Sequence, residues 1–427
     1  MTTHPSLFRL GTLLPALLLV SALRAQEEPA APPAKEANSF AKADPASLSA
    51  IAENLSPENR KKFGEMLGTD WKDRPEWAEM MIALLKGEPM RPGVGWLKPS
   101  EKKYDFTWLA DLLDSDVDGQ ISKDEMPKDL AGAEQLFARL DRDNDGEVRL
   151  ADFDYAARQQ PTPPQMMSQF LFYQLDADSN GRVSPEELTD FFKGADKDKT
   201  DFLTVDDLYR EFSNTFNNPS GAGDAMPPPD KMLTMFFRGE LGVFESGPNI
   251  GDVAPDFTLP TQDGKQKITL SQNRGQRPTL LIFGNFTCGP FRSQSGILDK
   301  LYARYKDQVD VYAVYVREAH PSDGWKMESN EAVGIKIDQP KTQEARNLVA
   351  SKCAQSLKLT MPLLVDTIND EVNRAYCGFP ERLYLIDRDG KVVYKGGRGP
   401  YGFKPRELEQ TLIMLLLDEA TKKPVAK

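Results

Sequence analysis

Leu280-Leu281-Ile282-Phe283-Gly284-Asn285-Phe286-Thr287-Cys288-Gly289-Pro290-Phe291 is the stretch on which the reading of this chain turns. Its first four residues form a short apolar run of the kind that makes a buried strand. Gly289-Pro290 then opens a helix expected to end near Tyr305, because proline fits the first helical turn, where its missing N–H is no loss. A thiol is thereby placed where a strand gives way to a helix. At that point unpaired backbone N–H groups and the helix dipole favour the thiolate, which makes Cys288 a candidate nucleophile. Downstream, Arg382 to Asp387 and Lys391 to Lys395 flank Asp389-Gly390, a hairpin signal. Beyond about residue 250 such runs alternate with helical patterns, so an α/β sheet domain is expected over 240–418.

The chain has 427 residues, enough for roughly two to four domains. Its net charge of −12 is concentrated: residues 101–211 hold 27 Asp+Glu and 13 Lys+Arg, a local net of −14. Such a surface draws cations and repels nucleic acid and anionic lipid, so no nucleic-acid partner is expected. Three cysteines exclude a disulfide-stapled scaffold. Arg9, the apolar run Leu10 to Val20 and the small residues of Ala22-Leu23-Arg24-Ala25 read as a secretory signal over 1–25, predicting an exported protein, periplasmic or secreted. The run is too short to span a bilayer, and no cysteine precedes Cys288 to carry a lipid, so no stable membrane anchor is expected. An Ala/Pro/Glu-rich leader follows over 26–45 and a helical segment over 46–100, the latter marked by Ser56-Pro57-Glu58 and Asp73-Arg74-Pro75-Glu76. Pro and Gly punctuation from Asn214 to Asp230 predicts a linker over 214–239.

The acidic block at 101–213 has an internal repeat. A calcium ion takes six to eight oxygens, and a twelve-residue loop supplies them from positions 1, 3, 5, 7, 9 and 12, with glycine at 6 for the turn. Asp114, Asp116, Asp118, Gln120, Ser122 and Glu125, with Gly119, meet every requirement. A second loop has Asp141, Asp143, Asp145, Gly146 and Glu147, but Arg149 at position 9 and the shorter Asp152 at position 12, so weaker binding is expected. The third, Asp176, Asp178, Asn180, Gly181, Arg182, Ser184 and Glu187, is complete. The fourth, Asp196, Asp198, Thr200, Thr204 and Asp207, places Asp201 where glycine should accept positive φ, and is expected to be degenerate. Ile121, Val148, Val183 and Leu203 at position 8 should pair loop one with two and three with four. The block resembles the EF-hand family, which implies an all-α region binding two to four calcium ions, with a structural role favoured over signalling.

The C-terminal half resembles the thioredoxin fold, with Cys288 at its active position and Phe379-Pro380 where that fold keeps a cis-proline beside the cysteine; Cys377 would then lie near Cys288. Phe291 stands where a dithiol motif has its second cysteine, which disfavours dithiol chemistry, and Thr287 lies too close to Cys288 for a peroxiredoxin. From about 240 to 415 the chain is similar to the iodothyronine deiodinases. The likeness is carried by Phe283 to Phe291, by Glu318-Ala319-His320-Pro321-Ser322-Asp323-Gly324-Trp325, by Glu381-Arg382-Leu383-Tyr384 and by Gly396-Gly397-Arg398-Gly399-Pro400. The resemblance implies a multidomain oxidoreductase. Cys288 takes the selenocysteine position, Glu318 and His320 the proton-handling pair, and Arg398 a substrate-contacting arginine. An external thiol reductant or thiol donor and a small-molecule substrate, such as a halogenated aromatic, follow from it. Cys377 is the candidate resolving thiol and Cys353 a weaker one. Departures are Phe286, where the family has a cysteine, and Pro340, near where it has a second histidine; sulfur for selenium implies slow deiodination. The alternative is a calcium-dependent binding or scaffold protein whose thioredoxin-like domain does not catalyse.

Overall fold

A helix on each side of an acidic loop is what the loop spacing demands. The computed structural model describes residues 56–61, 98–128, 132–153, 163–217, 227–243 and 246–422. The signal segment 1–25, the leader 26–45, most of the helical segment 46–100 and the linker residues 218–226 lie outside them. Helix α1 (Phe106–Leu113) starts on Asp105, whose carboxylate accepts the Trp108 N–H at 2.9 Å, and runs out at Asp114, the first residue of loop one. Helix α2 (Ala133–Leu140) runs out at Asp141 in the same way, and α3 (Leu150–Phe153) follows loop two. Helices α4 (Pro163–Leu175), α5 (Pro185–Ala195) and α6 (Val205–Asn217) flank loops three and four. Ser184 and Glu187 cap α5 reciprocally, so the last loop residue also starts the next helix.

Two expectations are corrected here. The block at 101–213 is not wholly helical, because strand β1 (Glu101–Lys102) pairs antiparallel with a strand near residue 394. The linker at 214–239 contains helix α7 (Pro229–Phe237), which buries Met232, Leu233, Met235 and Phe236. That apolar pattern follows Pro227-Pro228-Pro229, whose last proline starts the helix.

The remaining chain builds one sheet with helices around it. Strands β2 (Thr258–Pro260) and β3 (Lys267–Thr269) form a separate hairpin. Strand β4 (Thr279–Gly284), buried at every residue, leads into helix α8 (Gly289–Tyr305) and returns as β5 (Asp310–Tyr315), parallel to β4. Helices α9 (Glu328–Ala332) and α10 (Gln343–Ser356) precede β6 (Leu363–Val365), parallel to β5. After α11 (Glu371–Tyr376), strands β7 (Arg382–Ile386) and β8 (Val392–Lys395) form the expected antiparallel hairpin, with β7 antiparallel to β4, and α12 (Pro405–Lys422) ends the described chain. The order β1-β8-β7-β4-β5-β6, which joins a parallel β4-α8-β5 unit to an antiparallel β7-β8-α12 unit, is a thioredoxin-like arrangement. The Phe379-Pro380 peptide is cis, as expected.

The acidic block and the sheet are not independent bodies. Phe106, Leu109, Phe137, Leu140, Val148 and Phe153 share one buried cluster with Phe283, Leu408 and Leu412. Gln410 on α12 donates through Nε2 to the carbonyls of Leu140 (3.4 Å) and Asp152 (3.1 Å), closing the α2 and α3 ends onto the sheet domain. All the described residues fall within one compact unit. No described helix is long and apolar enough to cross a membrane.

Candidate active site and cation loops

Cys288 caps α8 with φ −80° and ψ 109°, at the strand-to-helix junction read from the sequence. The residue is 2% exposed, and its thiol donates to Glu381 Oε2 at 2.6 Å. Glu381 follows cis Pro380 directly and is completely buried, so the proline loop delivers a carboxylate to the sulfur. Burial pushes the Glu381 carboxyl up to about 7, while the thiol's hydrogen bond pulls the other way. Burial, then the facing carboxylate, pushes the Cys288 thiol well above its ordinary range, against the smaller help of the Phe291 N–H and Arg292. The expected resting thiolate is therefore corrected: the helix start is outweighed by desolvation and a like charge, and the resting group is a thiol with its proton aimed at Glu381.

The loop after β5 brings the second block of the site. Glu318, 1% exposed, accepts through Oε2 from the Thr287 N–H at 2.9 Å and the Thr287 hydroxyl at 2.8 Å, and through Oε1 from the Tyr315 hydroxyl. Burial raises its pKa, opposed by the bonds from Tyr315 and Thr287. His320 donates its backbone N–H to Thr287 Oγ1 at 3.0 Å, which sets it beside the residue preceding Cys288. Its ring lies edge-on to Trp325 with centroids 4.7 Å apart, and Nδ1 is 3.2 Å from the Trp325 carbonyl. A carbonyl only accepts, so Nδ1 carries the proton. The described bonds join the Glu318 carboxylate through Thr287 to the His320 backbone and not to its ring.

Asn285, wholly buried, ties these pieces together. Its Oδ1 accepts from the Ala319 N–H at 3.1 Å and shares the Thr287 hydroxyl proton, 3.1 Å away, with Glu318, and its Nδ2 donates to the Pro380 carbonyl at 3.0 Å. One side chain at the end of β4 therefore holds the cysteine loop, the histidine loop and the cis-proline loop.

The other three candidates are placed differently. All three cysteines are free and buried. Cys377 ends α11 in the left-handed region with φ 51° and is fully buried, its carbonyl accepting from Arg382 Nη1 at 3.4 Å. Cys353, fully buried on α10, has its thiol pushed up by burial, in keeping with a small apolar role. Arg398 is 1% exposed, and its guanidinium donates twice to the Val243 carbonyl at 3.3 Å, so it faces the protein interior and not an open surface.

Sequence reasoning gave no role to Glu381, Asn285 or Tyr315. Glu381 had a signal, as the carboxylate immediately after the proline expected to be cis.

A family model described as iodothyronine deiodinase matches residues 229–415. Thyroxine 5-deiodinase of Gallus gallus is 35% identical over 214 residues, covering 46% of this chain and 81% of that protein. The chain belongs to the iodothyronine deiodinase family. Thyroxine 5-deiodinase of Ovis aries is 35% identical over 163 residues, 38% of this chain and 54% of that one. A second model, described as EF hand, matches residues 169–193. This deiodinase family member is thus an oxidoreductase-type enzyme whose matched region starts at α7 and includes every residue of the site above.

The acidic loops of this family member are built to one plan. The position-1 carboxylate accepts from two backbone N–H groups in every loop: Asp114 from Asp118 and Gly119, Asp141 from Asp145 and Gly146, Asp176 from Asn180 and Gly181, Asp196 from Thr200 and Asp201. The sixth residue has positive φ each time, including Asp201 at 61°, where a side chain is strained. Ligand oxygens of Asp114, Asp116 and Asp118, of Asp141, Asp143 and Asp152, and of Asp176, Asp178 and Glu187 each lie within 4.8 Å of one another. Loop two gathers three carboxylates although its Asp145 is paired with Arg149 at 2.7 Å. Among the described residues Asp196, Asp198 and Asp207 form no such group, and Asp207 is held by Arg210, so loop four departs from the set. Ile121 and Val148 pair as expected, whereas no described bridge joins Val183 to Leu203. The third loop instead makes its contacts with α8 and the turn after α10.

The third loop best meets the demands of a bound cation. Asp176 is 5% and Asn180 4% exposed, and the Asn180 Oδ1 is buried without a hydrogen-bond partner while its Nδ2 donates to Asp178 at 2.8 Å. A hard cation held by Asp176, Asp178 and Glu187 would satisfy that oxygen if Asn180 joined the set.

Proposed function

We propose that this is an exported, calcium-binding thiol oxidoreductase that uses Cys288 for reductive chemistry on a small molecule, in particular reductive dehalogenation of an aromatic ring. The observation that carries the reading is the Cys288 thiol aimed at Glu381 Oε2 at 2.6 Å, at the start of α8. As the sulfur attacks the halogen, its proton passes to Glu381. The carbon–halogen bond breaks, the ring carbon takes a proton from the His320 imidazolium, which is left as the neutral Nδ1–H ring, and a sulfur–halogen bond remains on Cys288. An external thiol then displaces halide to give a mixed disulfide, and a second equivalent releases Cys288 and leaves as the oxidised donor.

The test is halide release from an iodinated phenol in the presence of dithiothreitol. Wild-type protein is expected to release iodide with thiol consumed at two equivalents per halide, and Cys288→Ser to release none; equal activity in the variant would end the reading. For calcium, metal-free protein is expected to melt at higher temperature in millimolar Ca²⁺. A concentration 100 times Kd stabilises the folded state by about 2.7 kcal/mol. An unchanged Tm together with no heat of binding would overturn the cation reading. Export is tested separately, by finding the protein in the periplasm or medium with a mature N-terminus near Gln26.

A further inference from the structure

Loop three differs from loops one and two in what lies against it. A Cβ built on Gly119 or Gly146 would meet nothing within 4 Å, whereas one on Gly181 would lie 2.4 Å from the Arg292 carbonyl and 2.9 Å from that of Ser293. Reciprocally, a Cβ on Gly296 would lie 2.3 Å from the Gly181 carbonyl. Two glycines thus let the loop backbone touch the backbone of α8 in its first two turns, a contact no larger residue permits. Polar bonds fasten the contact. The Ser295 hydroxyl donates to the Asn180 carbonyl at 2.7 Å, and Arg182 reaches Asp299 at 3.0 Å and the Leu357 carbonyl at 3.1 Å.

The touched turn is the one that Cys288 begins. The Arg292 N–H donates to the Cys288 carbonyl at 3.2 Å. The buried Arg292 guanidinium holds the Phe286 carbonyl at 2.8 Å and Asn330 Oδ1 at 2.7 Å, while Asn330 Nδ2 holds the Thr287 carbonyl at 2.8 Å. Loop three therefore abuts the same short piece of chain that positions the sulfur. Its Asn180 contributes to both sides: the backbone carbonyl faces α8, and the orphaned Oδ1 is the oxygen that would join the ligand set.

We propose that a divalent cation in loop three clamps the start of α8, so that cation binding and the opening that exposes Cys288 are thermodynamically coupled. The proposal rests on the cation reading above and deepens it to regulation of the same site. An ion that draws Asp176, Asp178, Asn180 and Glu187 together orders the loop, and an ordered loop suppresses local opening of the turn it abuts. Coupling of this kind is reciprocal: loosening the contact must weaken the ion.

The experiment uses the full chain, metal-free and with 5 mM Ca²⁺, and reads three quantities: calorimetric binding, hydrogen exchange of residues 289–296 and the rate of iodoacetamide addition at Cys288. Calcium is expected to slow both exchange and alkylation about fivefold or more, the low end of ordinary coupling. Glu187→Gln should abolish the slowing, Glu125→Gln in loop one should leave it, and Arg182→Ala should weaken calcium binding at loop three by a similar factor. Calcium binding that Glu187→Gln reduces by one site, with exchange and alkylation unchanged, would overturn the clamp and spare the cation reading. Absence of any calcium binding would overturn both. Equal loss of protection in Glu125→Gln and Glu187→Gln would also overturn it, because the effect would not belong to loop three.

Discussion

Replacing Glu381 by glutamine is expected to lower kcat/KM for halide release by about 10²- to 10⁴-fold, the range for removing a positioned general base. The carboxylate is the acceptor of the Cys288 proton, and with its pKa at about 7 it loses that capacity on acidification. Wild-type activity should accordingly rise through about pH 7, and the variant's residual activity should lack that limb. Stability should move the other way. Because burial raises the folded-state value from 4.5 to about 7, the folded protein holds the Glu381 proton more tightly than the unfolded chain does. This contribution is fully present below about pH 4.5 and is lost as pH rises to about 7, a loss on the order of 3 kcal/mol. Glutamine does not ionise, so the variant should gain stability relative to wild type as pH rises from 5 to 8. Denaturant midpoints at the two pH values check this. A variant as active as wild type, or a stability difference independent of pH, would remove Glu381 from the role given to it.

Asn285→Ala should be the most damaging substitution that leaves every charged group of the site intact. It strips a buried acceptor from the Ala319 N–H and a buried donor from the Pro380 carbonyl, while Thr287 keeps its bond to Glu318. Each orphaned buried group costs about 1–3 kcal/mol, so a loss of roughly 2–6 kcal/mol is expected. Because the same side chain fixes three loops around Cys288, kcat should fall even at temperatures where the variant is fully folded. Denaturant unfolding alongside kcat and KM distinguishes the two effects. A stable variant with unchanged kcat would show that the loops hold their places without it.

Legibility followed sequence distance. The acidic loops were readable because all their candidate ligands lie within twelve residues and every turn constraint is local, down to the strained Asp201. The thiol at a helix start and the β7-β8 hairpin were readable for the same reason, whereas cis Pro380 was implied by the resemblance to the thioredoxin fold. The protonation state of Cys288 was not. Its partner Glu381 is 93 positions away, and the outcome depends on burial that no local pattern reports. The expected Glu318 and His320 couple likewise sits two residues apart in sequence, yet Thr287 from another loop intervenes. The linker at 214–239 was misread because proline and glycine punctuation drew attention from the apolar spacing of Met232 to Phe236.

From residue order alone come the twelve-residue loops, the strand-thiol-helix unit and the candidate residues, since each is a short-range pattern with its own steric and electrostatic logic. Folding alone decides that a carboxylate faces the sulfur, that α8 meets loop three through paired glycines, and that β1 joins the far edge of the sheet. Those juxtapositions depend on which surfaces exclude water together, and desolvation is a property of the packed chain and not of any segment within it.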